Sequence, residues 1–304
     1  MRIVFMGTPE IAQVALTVLL AEGHEVVGVY TRADKPVGRK QRVTPSPVKL
    51  RAAENGIPVF QPGTLRTPEA AAQLAALAPE LVAVVAYGLL LPADVLAVPQ
   101  YGCINLHVSR LPQYRGAAPI QWALINGDAE TGVSVMQMDE GLDTGPVLAS
   151  QTLGIPPAAT AGEMFELVTG PGARLLAQTV ADIAAGKAKP QPQQGLPSYA
   201  PQLKKSMAEV DFEKPSLALH NLVRGCNPWP MAWFTAGGRR VQVHRARPAD
   251  AEGRSAREVL SASPLTIACG EGALVLEKVQ PDGARVMDGT EWARGRRLKA
   301  GDIL

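Results

Sequence analysis

The sequence predicts an α/β chain, a mostly parallel sheet with helices on both faces, followed by a small β-barrel. Three observations predict it. Short apolar runs alternate with helix-length amphipathic stretches from residue 2 to about 185. One run, "LVAVVAY", is apolar at every position, as in a strand buried on both faces. Beyond about residue 207 the pattern changes to short strands joined by Gly-rich turns.

"RIVFM" opens the chain as a buried strand. "GTPEIAQVALTVLLAEG" follows as a helix, with Thr8 suited to its N-cap, Pro9 to its first position and Glu10 to the positive end of its dipole. "HEVVGVYT" is the next strand; a long loop, a helix at "SPVKLRAAENG" and an extended "IPVF" come after it. "TPEAAAQLAALAP" is an Ala-rich helix before "LVAVVAY". Then come the strand "GCINLH", the helix "APIQWALING" and the extended pair "GVSVMQM" and "VLASQTL". A long helix covers about Ala161 to Ala185, with a kink expected at Pro171. "KAKPQPQQGLPSYAPQLKK" is Pro- and Gln-rich and aperiodic, which reads as an extended linker. After it, "PSLALHNLVRGC" is helical, while "AWFTAGGRRVQVHRA" and "LTIACGEGALVLEKV" read as hairpins. The expected division is a first domain at 1–186, a linker at 187–207 and a β-domain at 208–304.

With 304 residues, 46% of them hydrophobic and 19% charged, the chain can bury a large core. Cys103, Cys226 and Cys269 are scattered without a paired spacing, which argues for a reducing compartment and against a disulfide framework or zinc site. His24, His107, His220 and His244 lack ligand spacing, so no metal is expected. The N-terminus lacks signal-peptide anatomy and the most apolar window is too short to span a bilayer. A cytoplasmic monomer without membrane contact is expected. Charge is uneven: −2 up to Gln202 and +4 from Leu203 onward, which fits contact with a polyanion.

Asn105 and His107 are two apart on a strand and so share a face, while Ile104 and Leu106 point the other way. They end their strand where open α/β sheets place a ligand crevice. They are either two satisfied polar groups or a site for acyl transfer, in which the amide donates to a developing oxyanion and the imidazole moves a proton. Asp143 lies in the Gly-rich loop "MDEGLDTGP". It is either a turn-forming aspartate or a carboxylate aimed at the imidazole.

The segments "FMGTPE", "INLHVSRLPQYRGAAPIQWALINGDAETGVSVMQMDEGLDTGP" and "NLVRGCNPWP" occur in this order along the chain. Together they resemble the methionyl-tRNA formyltransferases, within the wider family that uses 10-formyltetrahydrofolate. The resemblance implies a Rossmann-like first domain, an OB-like barrel and transfer of a formyl group to methionyl initiator tRNA. It implies that Asn105, His107 and Asp143 are the catalytic trio. It implies that Ser109, Arg110, Leu111 and Pro112 help hold the folate, with Tyr87, Gly88, Leu89 and Leu91 lining the pocket. In the family the first residue of the pair before that Pro is more often Leu than Arg, and Gly is commoner than Met231, a departure read as tolerance in a packing position.

Seven basic residues and one acid lie between Thr31 and Arg51. Such a cluster is either a solvated surface loop or, since it follows the second strand, a part that overhangs the crevice. The resemblance places Arg39, Lys40 and Arg42 at the tRNA acceptor end; Lys204 and Lys205, with the basic β-domain, are expected to follow its backbone. No aromatic-rich stacking face is evident, so phosphate and shape contacts are expected there. Two other readings are a folate-dependent formyltransferase acting on a nucleotide amino sugar, and a non-catalytic RNA-binding protein.

Overall fold

The computed structural model describes residues 1–37 and 42–304. The chain divides into two compact units. The first comprises Met1–Gly116, Gly132–Leu153 and Phe165–Tyr199; the second comprises Ala117–Thr131, Gly154–Met164 and Ala200–Leu304. The division is not linear along the sequence, because two short segments, Ala117–Thr131 and Gly154–Met164, interrupt the first unit and belong to the second.

The elements of the first 200 residues are β1 (Arg2–Gly7), α1 (Glu10–Ala21), β2 (Glu25–Tyr30), β3 (Lys35–Val37), β4 (Arg42–Thr44), α2 (Pro47–Glu54), β5 (Val59–Phe60) and α3 (Pro68–Ala76). They continue with β6 (Leu81–Val85), α4 (Ala93–Leu96), β7 (Cys103–His107), β8 (Arg115–Gly116), α5 (Pro119–Asn126), β9 (Glu130–Gln137), β10 (Val147–Gly154), α6 (Ala161–Ala184) and β11 (Tyr199–Ala200). The main sheet has seven strands in the order β10-β9-β7-β6-β1-β2-β5. Strand β1 runs parallel to β2 and β6, β2 to β5, and β6 to β7, while β9 lies antiparallel to β7. The sheet is therefore mixed, with a parallel majority.

Alternation along the strands decides what each helix covers. Val4, Met6, Val82 and Val84 pack with Ala70 and Leu74 of α3 and Val95 of α4. A Cβ on Gly7 would meet Ala12 of α1 and the Phe5 ring, which puts α1 on the opposite face. Leu106 and Val133 lie against Gly172 of α6. Helices thus cover both faces of the sheet. Helix α6 runs through Pro171 as one element. It starts at a reciprocal cap, in which Thr160 N donates to Glu163 Oε2 at 2.8 Å and Glu163 N to Thr160 Oγ1 at 3.3 Å. Hydrogen bonds from Thr160, aided by Arg245, hold the Glu163 carboxyl below its ordinary range.

Two local expectations change. Thr8 does not cap α1; Pro9 occupies the cap position and the helix begins at Glu10. The Thr8 hydroxyl instead donates to Tyr87 O at 3.4 Å and accepts from Arg32 N at 3.3 Å, tying together the chain after β1, β2 and β6. The long loop after β2 contains two short strands, β3 and β4, paired antiparallel. Lys49 Nζ donates to Asp34 Oδ2 at 2.7 Å and Gln61 Oε1 at 2.9 Å, so one of the seven cations is committed to structure.

The second unit continues with α7 (Ser216–Gly225), β12 (Ala232–Ala236), β13 (Arg239–Ala249), β14 (Val259–Ala262), β15 (Leu265–Ala268), β16 (Ala273–Pro281), β17 (Met287–Asp288) and α8 (Gly289–Arg296). Its antiparallel sheet has the order β12-β13-β16-β15-β14, with β17 beside β16. Gly237 (φ 56°) and Gly238 (φ 74°) form the β12–β13 turn, whose left-handed backbone suits the twist of a tight hairpin. Phe234 sits edge-on to Phe212 at 5.5 Å and to Trp292 of α8 at 5.9 Å, marking the centre of the core.

Helices α5 and α7 join "APIQWALING" to "NLVRGCNPWP". Buried Arg224 donates to Leu124 O at 3.3 Å and to Asn221 Oδ1 at 2.9 Å. Gly225 lies so close to Ile125 and Gln121 O that a Cβ there would collide. That motif is a clasp between two helices. Met231 has φ 66°. Glycine adopts such a backbone freely, so the departure at this position is conformational and not one of packing tolerance.

Gly7→Ala should lower stability by about 1–3 kcal/mol, the usual cost of overpacking, because its Cβ would lie 2.6 Å from Ala12 Cβ and 2.9 Å from Val85 O. Denaturant unfolding measures it, and an unchanged midpoint would refute the close approach. All three cysteines are buried, and burial pushes each thiol up to about 12. They should resist a thiol reagent at about pH 8 in the native protein and react once it is unfolded; fast native labelling would contradict this.

Candidate active site

Strand β7 positions the first two groups. Cys103 packs into the core beneath α3 and α4, and Asn105 and His107 follow it on the same face. Leu106 faces Gly172 of α6. Asn105 is half-buried, and its carboxamide has no hydrogen-bond partner among the described residues. His107 is 6% exposed. Its Nε2 lies 2.9 Å from Tyr114 O. A carbonyl only accepts, so Nε2 carries a proton and Nδ1 faces the other way.

Nδ1 faces Asp143, whose Oδ2 is 3.7 Å distant. The loop carrying Asp143 arrives by an indirect route. Strand β9 runs against β7 and ends level with its start, where Met138 N donates to Cys103 O at 2.8 Å. Gln137 N donates to Pro146 O at 2.9 Å and closes the base of the loop. From there the loop folds back along β7, a reach of about 13 Å for four strand residues. Asp139 shapes it, accepting from Gly141 N at 3.0 Å and from Thr144 Oγ1 at 2.7 Å. Asp139 is thus the turn-forming aspartate, and the Asp143 carboxylate is left to point at the imidazole. Asp143 has φ 53°, and its Oδ2 accepts from Gly116 N at 2.7 Å.

The segment after β7 is held from beneath. Ser134, opposite His107 on β9, donates to Ser109 O at 2.8 Å and accepts from Leu111 N at 3.2 Å. Ser109 Oγ donates to Gln113 O at 2.6 Å. Pro112 is buried, Leu111 half-buried and Arg110 exposed, with the Arg110 stem crossing over Gly132. Of the segment after β6, Tyr87 and Leu91 are packed in the hydrophobic core, with Leu89 against it and Gly88 exposed at φ 79°. The Tyr87 hydroxyl is buried without a partner among the described residues, and burial pushes it up to about 12.

Arg42 is exposed on β4, and Lys204 and Lys205 are exposed in the second unit. Arg39 and Lys40 lie outside the described residues. Among the described residues no cluster of His, Cys, Asp or Glu is arranged to hold a metal, and no helix is long and apolar enough to cross a membrane.

The parts that brace Asp143 carry no signal in the sequence. The segment read as a linker is hydrogen-bonded to the site: Tyr114 N donates to Ser198 Oγ at 2.9 Å, and Gln193 Nε2 donates to Asp143 O and Gly145 O, each at 2.8 Å. A Pro- and Gln-rich stretch has no periodicity to signal such contacts.

An uncommitted amide beside an imidazole and a carboxylate suits transfer of an acyl or formyl group between nitrogens. Comparison with known proteins agrees with that chemistry. Residues 1–180 match the family described as Formyl transferase, and residues 202–297 match the Formyl transferase C-terminal domain. Over 304 residues the chain is 45% identical to the methionyl-tRNA formyltransferase of Myxococcus xanthus (strain DK1622), covering 99% of this chain and 96% of that one. Its fold is similar to that of WlaRD, a sugar 3N-formyl transferase crystallised with dTDP and 5-N-formyl-THF (TM-score 0.68, 16% identity, 94% of this chain and 99% of that one). It is also similar to a variant of HypX from Aquifex aeolicus, of which it spans about half the length (TM-score 0.67, 19% identity, 100% of this chain and 49% of that one). Matched in order across both domains and along its whole length, the chain belongs to the formyl transferase family, on its methionyl-tRNA formyltransferase branch.

Proposed function

We propose that the Asn105, His107 and Asp143 site moves the formyl group of 10-formyltetrahydrofolate to the α-amine of methionyl initiator tRNA. The observation that carries this is one juxtaposition. An unpartnered amide and a buried imidazole share a strand face, and a carboxylate held by a backbone N–H lies 3.7 Å from the ring, in a chain of this family.

The amine nitrogen attacks the formyl carbon, a C–N bond forms, and negative charge develops on the formyl oxygen. Asn105, uncommitted, donates to that oxygen. With a proton on both ring nitrogens, His107 adds positive charge nearby, and Asp143 faces the Nδ1 edge that carries it. The bond to the folate nitrogen then breaks. That nitrogen takes a proton and the amine gives one up, with Asp143 and His107 as the relay. No covalent bond to the protein is required.

The folate donor is held by Ser109, Arg110, Leu111 and Pro112 and by the segment containing Tyr87, Gly88, Leu89 and Leu91. Because Tyr87 and Leu91 are core residues, this segment acts through its backbone and through Leu89. Residues 1–186 carry donor binding and chemistry, 187–207 connect to the C-terminal part and also brace the Asp143 loop, and 208–304 hold tRNA. Arg39, Lys40 and Arg42, with Lys204 and Lys205, supply phosphate contacts. Labelled formyl transfer from 10-formyltetrahydrofolate to charged initiator tRNA tests the reading, with an amino-sugar nucleotide as the competing acceptor. Transfer to the sugar alone would overturn it.

Asn105→Ala, His107→Ala and Asp143→Ala should each lower turnover by about a hundredfold or more, as expected for a lost oxyanion donor or proton-transfer group. Near-normal turnover removes that residue from the mechanism. Affinity for tRNA should fall steeply as salt rises, because phosphate contacts release counterions. Combined Arg42→Ala, Lys204→Ala and Lys205→Ala should flatten that slope, and an unchanged slope would exclude these residues as contacts.

A further inference from the structure

The Gln193 side chain occupies an unusual place. Its Nε2 donates to Asp143 O and Gly145 O, both at 2.8 Å. Its Oε1 accepts from Arg115 Nε at 3.1 Å and Arg115 Nη2 at 2.7 Å. One carboxamide thus joins the two segments that meet at the Asp143 carboxylate, since Gly116, next to Arg115, supplies the N–H that Asp143 Oδ2 accepts at 2.7 Å. The chain on either side of Gln193 is fixed independently. Val147 and Gln191 exchange backbone hydrogen bonds of 2.8 and 2.9 Å, and Arg115 N donates to Ser198 O at 2.9 Å. Gln193 itself is half-buried. Asp143 has a left-handed backbone (φ 53°), a conformation less favourable for a residue with a Cβ than for glycine, which the surrounding bonds help to hold.

We propose that Gln193 is a positioning residue for formyl transfer. Its amide fixes the backbone of the Asp143 loop and thereby the approach of the Asp143 carboxylate to His107. The proposal rests on the reading of Asp143 as part of the catalytic set. Gln193 acts only through Asp143, so the consequences of losing each must be coupled. A brace that merely supported the fold would instead lower stability and add its effect to any other.

The test uses the full chain, formyl-transfer kinetics and thermal melting. Gln193→Ala removes all four bonds. Gln193→Glu keeps the size and the acceptor for Arg115 but cannot donate to the two carbonyls. Each variant should lower kcat by about tenfold or more, since small misplacements of a reacting group carry losses of this order. KM for both substrates should stay within about twofold, with melting nearly unchanged. In an Asp143→Asn background, Gln193→Ala should cost less than a further twofold or so. Wild-type kcat in the glutamine variants beside an impaired Asp143→Asn would overturn this proposal alone. Wild-type kcat in Asp143→Asn would remove Asp143 from the chemistry, and this proposal with it. Additive losses, losses confined to KM, or a large fall in melting of both glutamine variants would assign Gln193 to binding or to the fold and overturn the positioning role.

Discussion

The site depends on the period-two alternation of β7. Ile104 and Leu106 are buried, and Leu106 lies against α6 where Gly172 leaves room for it. With those two side chains turned toward that helix, Asn105 and His107 must face the other way. A slip of one residue would bury the amide and imidazole against an apolar helix and expose two large aliphatic groups. The hydrophobic demand of the core thus orients the polar pair.

The carboxylate is placed by different means. Asp143 belongs to a loop closed at its base by backbone hydrogen bonds and turned by Asp139. Two further groups complete its position, Gly116 N on the carboxylate and the Gln193 amide on the backbone. These are hydrogen bonds between segments far apart in sequence, which hold a strained backbone where local preference alone would not. The same principle recurs after β1, where the Thr8 hydroxyl bonds to the chain after β2 and β6 and leaves the helix cap to Pro9.

Positive charge is distributed in a way that the count of cations alone does not show. Of the seven basic residues between Thr31 and Arg51, Lys49 is joined to Asp34 and Gln61, and Arg51 pairs with Glu54 at 3.1 Å. Arg42 stands exposed on β4. In the second unit Arg245, Arg247 and Lys278 each have an acidic partner within 4 Å. Ion pairs of this kind at the surface contribute little to stability. They do mean that the basic character of a segment overstates the charge it can offer a phosphate.

The sequence by itself determined the order of the main strands and helices, the buried strand "LVAVVAY", the shared face of Asn105 and His107, and the Gly-Gly hairpin. Each is a local matter of side-chain period or of a backbone conformation that glycine favours. Tertiary structure alone decided that Asp139 makes the turn and Asp143 faces the imidazole, and that Tyr87 and Leu91 join the core. It alone decided that "NLVRGCNPWP" clasps α5, and that Gln193 and Ser198 brace the site. These follow from contacts between residues up to about a hundred positions apart, and no local pattern encodes the partner of a hydrogen bond across that separation.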